Sequence, residues 1–415
     1  MDYVKLINCM RCGMCLPACP TYRETFLETA SPRGRVALMR KLSEGDLEVS
    51  ERLLEYLSLC LDCQACASAC PCGVNAGEIV ADFRCERKEG QGLSLMEELI
   101  LRRLLPHPDR LEAAIAPLRA YQRSGLQKVV RKLGLLKMFP QQLQRMEGLL
   151  PELPHRPLRQ TIDEVTPAVG EERGTVGFFL GCVMSLVFSE ASRATIRLLS
   201  SLGYRVITPR EQKCCGAPNV LASDRQGLLE AARFNVELFS GHDLDFIVTD
   251  CGGCGAELKK YGHHLEGDVT AGAFSARVRD ISQVLALHAD ELARRLGPLP
   301  LTVTYHDPCH IAHCQGIRQE PRRLLRLVPG LDVRELPEAD ACCGSAGTYN
   351  IEQPGMSDRV LRRKVENVSS TGARVLVTSN PGCLIQLKKA LAEVNPPVEV
   401  MHLTEILHRS LAGEE

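Results

Sequence analysis

Residues 340–350 read DACCGSAGTYN, with Cys342 and Cys343 adjacent and Gly344 next, and residues 212–220 read QKCCGAPNV, with Cys214, Cys215 and Gly216 in the same arrangement. The surroundings of the two doublets match as well. TVGFFLGC (175–182) is an apolar run ending at Cys182, and TVTYHDPC (302–309) ends at Cys309. Thirty-one residues separate Cys182 from Cys214, and thirty-two separate Cys309 from Cys342. After each doublet come a helical pattern and another apolar run, DFIVTDC reaching Cys251 with Cys254 close behind, and ARVLVTSNPGC reaching Cys383. Short apolar runs alternating with helical periodicity predict parallel strands covered by helices. Equal spacing between dissimilar segments is what a duplicated unit leaves. The expected fold class is α+β and multidomain, ending in two repeated α/β cysteine-rich modules with parallel sheets, at 175–297 and 298–415.

In an open parallel sheet the carboxyl edge is where ligands collect. Cysteines at the ends of strands therefore converge there, and the glycine after each doublet lets the backbone turn away. Converging thiolates select iron–sulfur clusters, zinc or copper(I). The first module offers Cys182, Cys214, Cys215, Cys251 and Cys254, a candidate set for a cluster or for zinc. The second offers Cys309, Cys342, Cys343 and Cys383, because aligning DCGGC with SNPGC puts Asn380 where Cys251 stands. Asparagine is a poor iron ligand, so the second set is the weaker of the two. His306, His310 and His313 flank Cys309 and are candidates to hydrogen-bond a sulfur or accept a metal. Cys72, Cys85 and Cys314 have no counterpart in the repeat and read as reduced thiols.

The amino-terminal part carries a second kind of repeat. NCMRCGMCLPACP holds Cys9, Cys12, Cys15 and Cys19, and LCLDCQACASACP holds Cys60, Cys63, Cys66 and Cys70, both in the spacing C-x2-C-x2-C-x3-C-P. This spacing ligates [4Fe–4S] clusters, with the fourth cysteine of each run turned to the other cluster. The expected sets are Cys9, Cys12, Cys15 and Cys70 for one cluster, and Cys60, Cys63, Cys66 and Cys19 for the other. Two zinc sites are the competing reading, but zinc prefers separated C-x2-C pairs or Cys/His mixtures. Between the motifs, apolar residues at Val36, Leu38, Met39 and Leu42, then at Leu53, Leu54, Leu57 and Leu59, predict helices. The ferredoxin domain, 1–95, is therefore expected to be helical. Arg33 and Arg35 are candidate cationic donors near the clusters.

Residues 96–174 are expected to form a helical bridge and linker. From Leu101 to Pro140, nine Lys/Arg stand against Asp109 and Glu112. LQKVVRKLGLLKM reads as one basic amphipathic helix, either a solvated bridge or a surface for an anionic membrane or a partner. The proline-rich stretch 151–174 reads as the linker.

Composition limits what the chain does. A formal net charge of -1 gives no electrostatic case for nucleic acid. Twenty cysteines without an apolar leader read as metal ligands or redox groups in a reducing, cytoplasmic compartment, with peripheral contact to the membrane as the further expectation. There is no glycine-rich fingerprint for a flavin, nicotinamide or nucleotide, and no catalytic triad or paired carboxylates at useful spacing. Clusters without an organic cofactor describe an electron conduit fed by a partner subunit.

NCMRCGMCLPACPTY, SPRGR, HDPCH, CCGSAGTYN and SNPGC, in that order, resemble the glycolate oxidase iron–sulfur subunits along essentially the whole chain. The doublet modules alone are similar to those in the cysteine-rich subunit of heterodisulfide reductase and in the anaerobic glycerol-3-phosphate dehydrogenase small subunit. The resemblance implies a complex in which an FAD-binding subunit oxidises glycolate or D-lactate. This chain would then carry the electrons to a quinone or another membrane carrier. It also implies that the eight ferredoxin-type cysteines are the ligands of two [4Fe–4S] clusters. The complete first module leaves a second implication open, a catalytic cluster like that of heterodisulfide reductase.

Overall fold

The computed structural model describes residues 3–88 and 92–411. The amino-terminal domain is helical, as its apolar spacing requires, with no strand among its described residues. Helices Pro32–Ser43 and Glu51–Ser58 start at Ser31 and Ser50, whose side chains accept from Gly34 N (2.9 Å) and Leu53 N (3.3 Å). Such caps satisfy amide groups that the first turn leaves unpaired. Val36, Met39, Leu53 and Leu57 meet Ile79, Val80 and Phe83 of the helix Ala76–Lys88 in one buried core.

The first module is a five-stranded sheet in the order β1 (Val165–Thr166), β3 (Tyr204–Ile207), β2 (Gly174–Phe178), β4 (Phe246–Thr249), β5 (Val278–Asp280). The second is a four-stranded sheet in the order β7 (Asp332–Arg334), β6 (Thr302–Tyr305), β8 (Val375–Thr378), β9 (Glu399–His402). Apart from the antiparallel β1, every pairing is parallel, and β3-β2-β4-β5 repeats as β7-β6-β8-β9. The strand order reverses between β2 and β4, and between β6 and β8, so each module opens its ligand crevice there. The expected duplication is present in topology as well as in spacing.

The two modules share their interior. Val176 and Val248 of the first lie in one apolar core with Val303 and Val375 of the second. Helix Ser189–Ser201 packs on helix Leu403–Arg409, where Thr195 Oγ1 and Thr404 Oγ1 lie 3.2 Å apart. His402 Nε2 donates to the Asp250 carbonyl (2.9 Å), bridging the carboxyl ends of β9 and β4.

The bridge departs from the expectation in two places. Gly134, at φ +66°, ends the basic helix, so the single amphipathic helix is a seven-residue α-helix, Leu126–Lys132, followed by a 3-10 turn at Leu135–Met138. The proline-rich stretch also contributes structure, because β1 pairs with β3 and Leu158 is fully buried in the module core. Ion pairs Arg102–Asp224 (2.8 Å) and Arg145–Asp358 (2.5 Å) tie the bridge to both modules. No helix among the described residues is long and apolar enough to cross a membrane.

Candidate metal centres

Three groups of thiols are held by different parts of the fold. The first lies in the amino-terminal domain. Cys19, Cys60, Cys63 and Cys66 line one cavity, together with Pro20, Thr21, Arg35 and Leu61. These are the four cysteines expected to share a cluster, three from the second motif and the last from the first. Cys19 precedes the helix Pro20–Thr25, whose first residue is the motif proline. Arg35 is buried and donates toward Cys19 Sγ (3.9 Å) and to Thr21 Oγ1 (2.9 Å). Arg33 instead pairs with Glu28 (2.7 Å) at the surface. Burial pushes the Cys66 thiol up to about 12 and also raises Cys63. Four thiols gathered in one cavity, with the Arg35 cation and the Asp62 carboxyl in its lining, fit a group that supplies positive charge to thiolates, as an iron–sulfur cluster does.

The other expected set is more open. Cys9 and Cys70 pack on the helical core from opposite ends of the domain sequence, Cys15 is half-buried and Cys12 is exposed. Cys70 Sγ accepts from Val74 N (3.3 Å).

The second group is the first module's five thiols. Cys182 starts the helix after β2, Cys214 and Cys215 follow β3, and Cys251 caps the helix Gly252–Leu258 that contains Cys254. Cys182 and Cys214 sulfurs are 3.9 Å apart, and Cys251 Sγ accepts from Cys254 N (3.3 Å). Hydrogen bonds from the Cys214 and Cys254 thiols hold Cys215 below the usual thiol range, while the contact with Cys215 pushes Cys254 up. Tyr261 Oη fixes the doublet by donating to the Cys215 carbonyl (2.9 Å). Gly216 adopts φ +85°, which favours glycine there, and a Cβ would also press on Leu228 Cδ1 at 2.5 Å.

The second module repeats this frame with different donors. Gly344 has φ +86°, and Asn380 precedes the helix Pro381–Ala392 at the position of Cys251, without the side-chain cap bond that Cys251 makes. The asparagine has work of its own: its Oδ1 accepts from Gly253 N (3.0 Å) across the module boundary, and its Nδ2 faces Cys383 Sγ (3.6 Å). Cys343 and Cys383 sulfurs are 3.4 Å apart. They form a buried group with His306, all ligand atoms within 4.8 Å of one another. Of the three histidines read in the sequence, His306 is the one that enters a thiol group in this way. His310 Nδ1 lies 3.5 Å from Cys309 Sγ, and His313 turns to Ser68 Oγ (3.1 Å).

The ferredoxin domain docks on this second module. Cys63, Leu61, Cys342 and Tyr349 share one buried apolar cluster, with Cys309 packed against it. Tyr349 Oη donates to Leu59 O (3.0 Å), Gln353 Nε2 donates to Ser58 Oγ (3.0 Å), and Arg23 pairs with Glu338. Hydrogen bonds from Arg363 and Arg23 hold the Glu338 carboxyl down at about 2. One of the expected cluster ligands thus borders the thiols of a module some 250 residues away in sequence, a juxtaposition that motif spacing could not reveal.

Comparison with known proteins gives a consistent result. The family described as "4Fe-4S dicluster domain" matches residues 5–74, "Glycolate oxidase iron-sulfur subunit, linker region" matches 92–150, and "Cysteine-rich domain" matches twice, at 176–259 and 303–388. The probable glycolate oxidase iron-sulfur subunit of Bacillus subtilis (strain 168) is 39% identical over 98% of this chain and 94% of its own length. The glycolate oxidase iron-sulfur subunit of Escherichia coli (strain K12) is 28% identical, also over 98% and 94%. Among solved structures, a hypothetical protein from Helicobacter pylori superposes with a TM-score of 0.55 at 11% identity, covering 100% of this chain and 75% of that one, a likeness of fold.

Proposed function

The chain belongs to the family of glycolate oxidase iron–sulfur subunits, and on that premise we propose that it carries electrons from a flavin-dependent 2-hydroxy-acid dehydrogenase partner to a membrane carrier such as a quinone. The observation that carries the reading is the cavity lined by Cys19, Cys60, Cys63 and Cys66, to which both ferredoxin-type motifs contribute. These four residues would hold one [4Fe–4S] cluster, and Cys9, Cys12, Cys15 and Cys70 the other. A bound pair of such clusters supplies one-electron acceptors in sequence.

The protein's residues then have separable tasks. Cys12, being exposed, would offer the edge at which a donor approaches, and the cavity walls would shield Cys19 and Cys63, the buried thiols of the other set. Arg35 offsets negative charge at Cys19. Oxidation of glycolate or D-lactate takes place on the FAD-binding partner, since this chain has no flavin fingerprint. Support for a membrane carrier comes from the bridge, where Leu126, Val129, Leu133, Met138 and Phe139 are exposed beside Lys128, Lys132 and Lys137. Apolar and cationic side chains together suit an anionic bilayer surface.

A second reading is favoured by one observation, the five contiguous thiols of the first module with Cys215 held low. There Cys182, Cys214, Cys215, Cys251 and Cys254 would hold a third cluster that reduces a disulfide. The test that separates the two uses the chain purified anaerobically with its flavin partner. Reduction of the clusters by glycolate or D-lactate, and reoxidation by a quinone analogue, supports electron transfer. Disulfide reduction that Cys251→Ser abolishes supports the second reading, and failure of both rejects the assignment.

A further inference from the structure

Aligning the repeats strand by strand exposes an exchange of donors. β2 residues 175–178 correspond to β6 residues 302–305, so Cys309 corresponds to Cys182 and His306 stands where the first module has Phe179. Phe179 is fully buried and stacks on Phe239 with ring centroids 6.0 Å apart. Its replacement puts a fully buried imidazole between β6 and β8, on the strand neighbouring the one whose cysteine has become Asn380. One module has lost a sulfur donor and gained a nitrogen donor at the same crevice.

The imidazole is prepared for a ligand. Its Nδ1 faces the Ala339 carbonyl at 3.0 Å, which fixes the proton on Nδ1 and leaves the lone pair on Nε2. His306 Nε2 is buried and has no hydrogen-bond partner among the described residues. A buried polar atom left unpaired is destabilising, and few native groups are left so without a reason. A ring nitrogen of His306 lies within 4.8 Å of Cys343 Sγ and Cys383 Sγ, which are themselves 3.4 Å apart. We propose that the second module holds a single zinc ion through His306 Nε2, Cys343 Sγ and Cys383 Sγ, with one further coordination position.

Three points of chemistry favour this ion. Two thiolates and one imidazole are a donor set of borderline softness, and bonds of about 2.0–2.3 Å in a tetrahedron put neighbouring donors about 3.3–3.8 Å apart. A histidine ligand that gives its other N–H to a backbone carbonyl is the usual arrangement around zinc. Binding releases the two thiol protons to solvent, so Zn²⁺ with two thiolates leaves the buried site uncharged. The remaining thiols of the module, Cys309 and Cys342, border Cys63 of the ferredoxin domain, and Cys342 also contacts Cys343. The zinc fastens the doublet loop to β6 and β8 without taking part in electron flow, and so holds Cys342 against the ferredoxin domain. This inference stands apart from the substrate assignment, because it would hold for any partner.

The test is zinc and iron per chain in the full-length protein purified anaerobically, for wild type, His306→Phe and Cys383→Ser. The expected result is about one zinc per chain in wild type, reduced at least about tenfold in both variants with iron unchanged. Because either variant can misfold, wild type alone is also loaded with Co²⁺ in place of zinc. Tetrahedral d–d bands with thiolate charge transfer are expected, and zinc-edge absorption should show two sulfur neighbours and at least one nitrogen. Wild type without zinc, cobalt without thiolate bands, or variants that lose iron in place of zinc would overturn the proposal.

Discussion

Arg35 allows the cluster assignment to be tested through a potential. Its guanidinium is 2% exposed and donates toward Cys19 Sγ (3.9 Å), Thr21 Oγ1 (2.9 Å) and the Tyr56 carbonyl (3.4 Å). If Cys19 ligates a cluster, each added electron lies roughly 6 Å from this cation. With an effective dielectric constant of about 20, the interaction is about 2.8 kcal/mol. For a one-electron couple that corresponds to about 120 mV. Water entering the cavity recovers part of it, so Arg35→Met should lower the potential of one cluster by roughly 50–100 mV and leave the other within about 20 mV. Arg35→Lys keeps the charge and should recover most of the loss. The assay is a redox titration followed by EPR, with iron counted in every variant. Two unchanged potentials in an Arg35→Met protein with full iron content would refute the placement of Cys19 beside a cluster.

Three further outcomes follow from the geometry. Cys66→Ser should remove about four irons and one reduced-cluster signal, sparing the set with Cys9, Cys12 and Cys15, as elemental analysis and EPR will show. Gly344→Ala forces a side chain into φ +86° with its Cβ 2.7 Å from Ser357 O, and should destabilise the chain by at least about 1–2 kcal/mol, read as a lower melting temperature. Burial pushes the His402 imidazole down to about 4, against about 6.5 in an unfolded chain. Its folded form is therefore the neutral one, and the stability it contributes is present above about 6.5 and is lost as pH falls toward about 4. His402→Gln should flatten the melting-temperature profile between those limits; an unchanged slope would show that another group sets it.

How far the sequence could be read depended on whether each feature was local. The cysteine spacings, the two doublets and the strands β2, β4, β6 and β8 are written in consecutive residues, and each was legible. β1 and β5 were not. β1 is two residues long and exists through its partner β3, while β5 has Arg279 between Val278 and Asp280 and gives no apolar run. The basic helix read longer than it is, because a helical pattern continues through Gly134 although the backbone turns there. The site was legible in its thiols and illegible in what surrounds them. That Arg35 is buried against Cys19, that Asn380 spans two modules and that Cys63 borders Cys342 all depend on contacts between distant segments. His306 carried a local signal, the HDPC that replaces FLGC, but its meaning emerges only when the two modules are aligned strand by strand.

The most direct test of the central claim is iron and acid-labile sulfide per chain after strictly anaerobic purification, with EPR of the reduced protein. Two four-iron clusters give about eight irons and eight sulfides with two cubane signals, and a filled first module raises the iron to about twelve. About four irons or fewer in freshly prepared, fully folded protein, or zinc in place of iron at the ferredoxin motifs, would contradict the account.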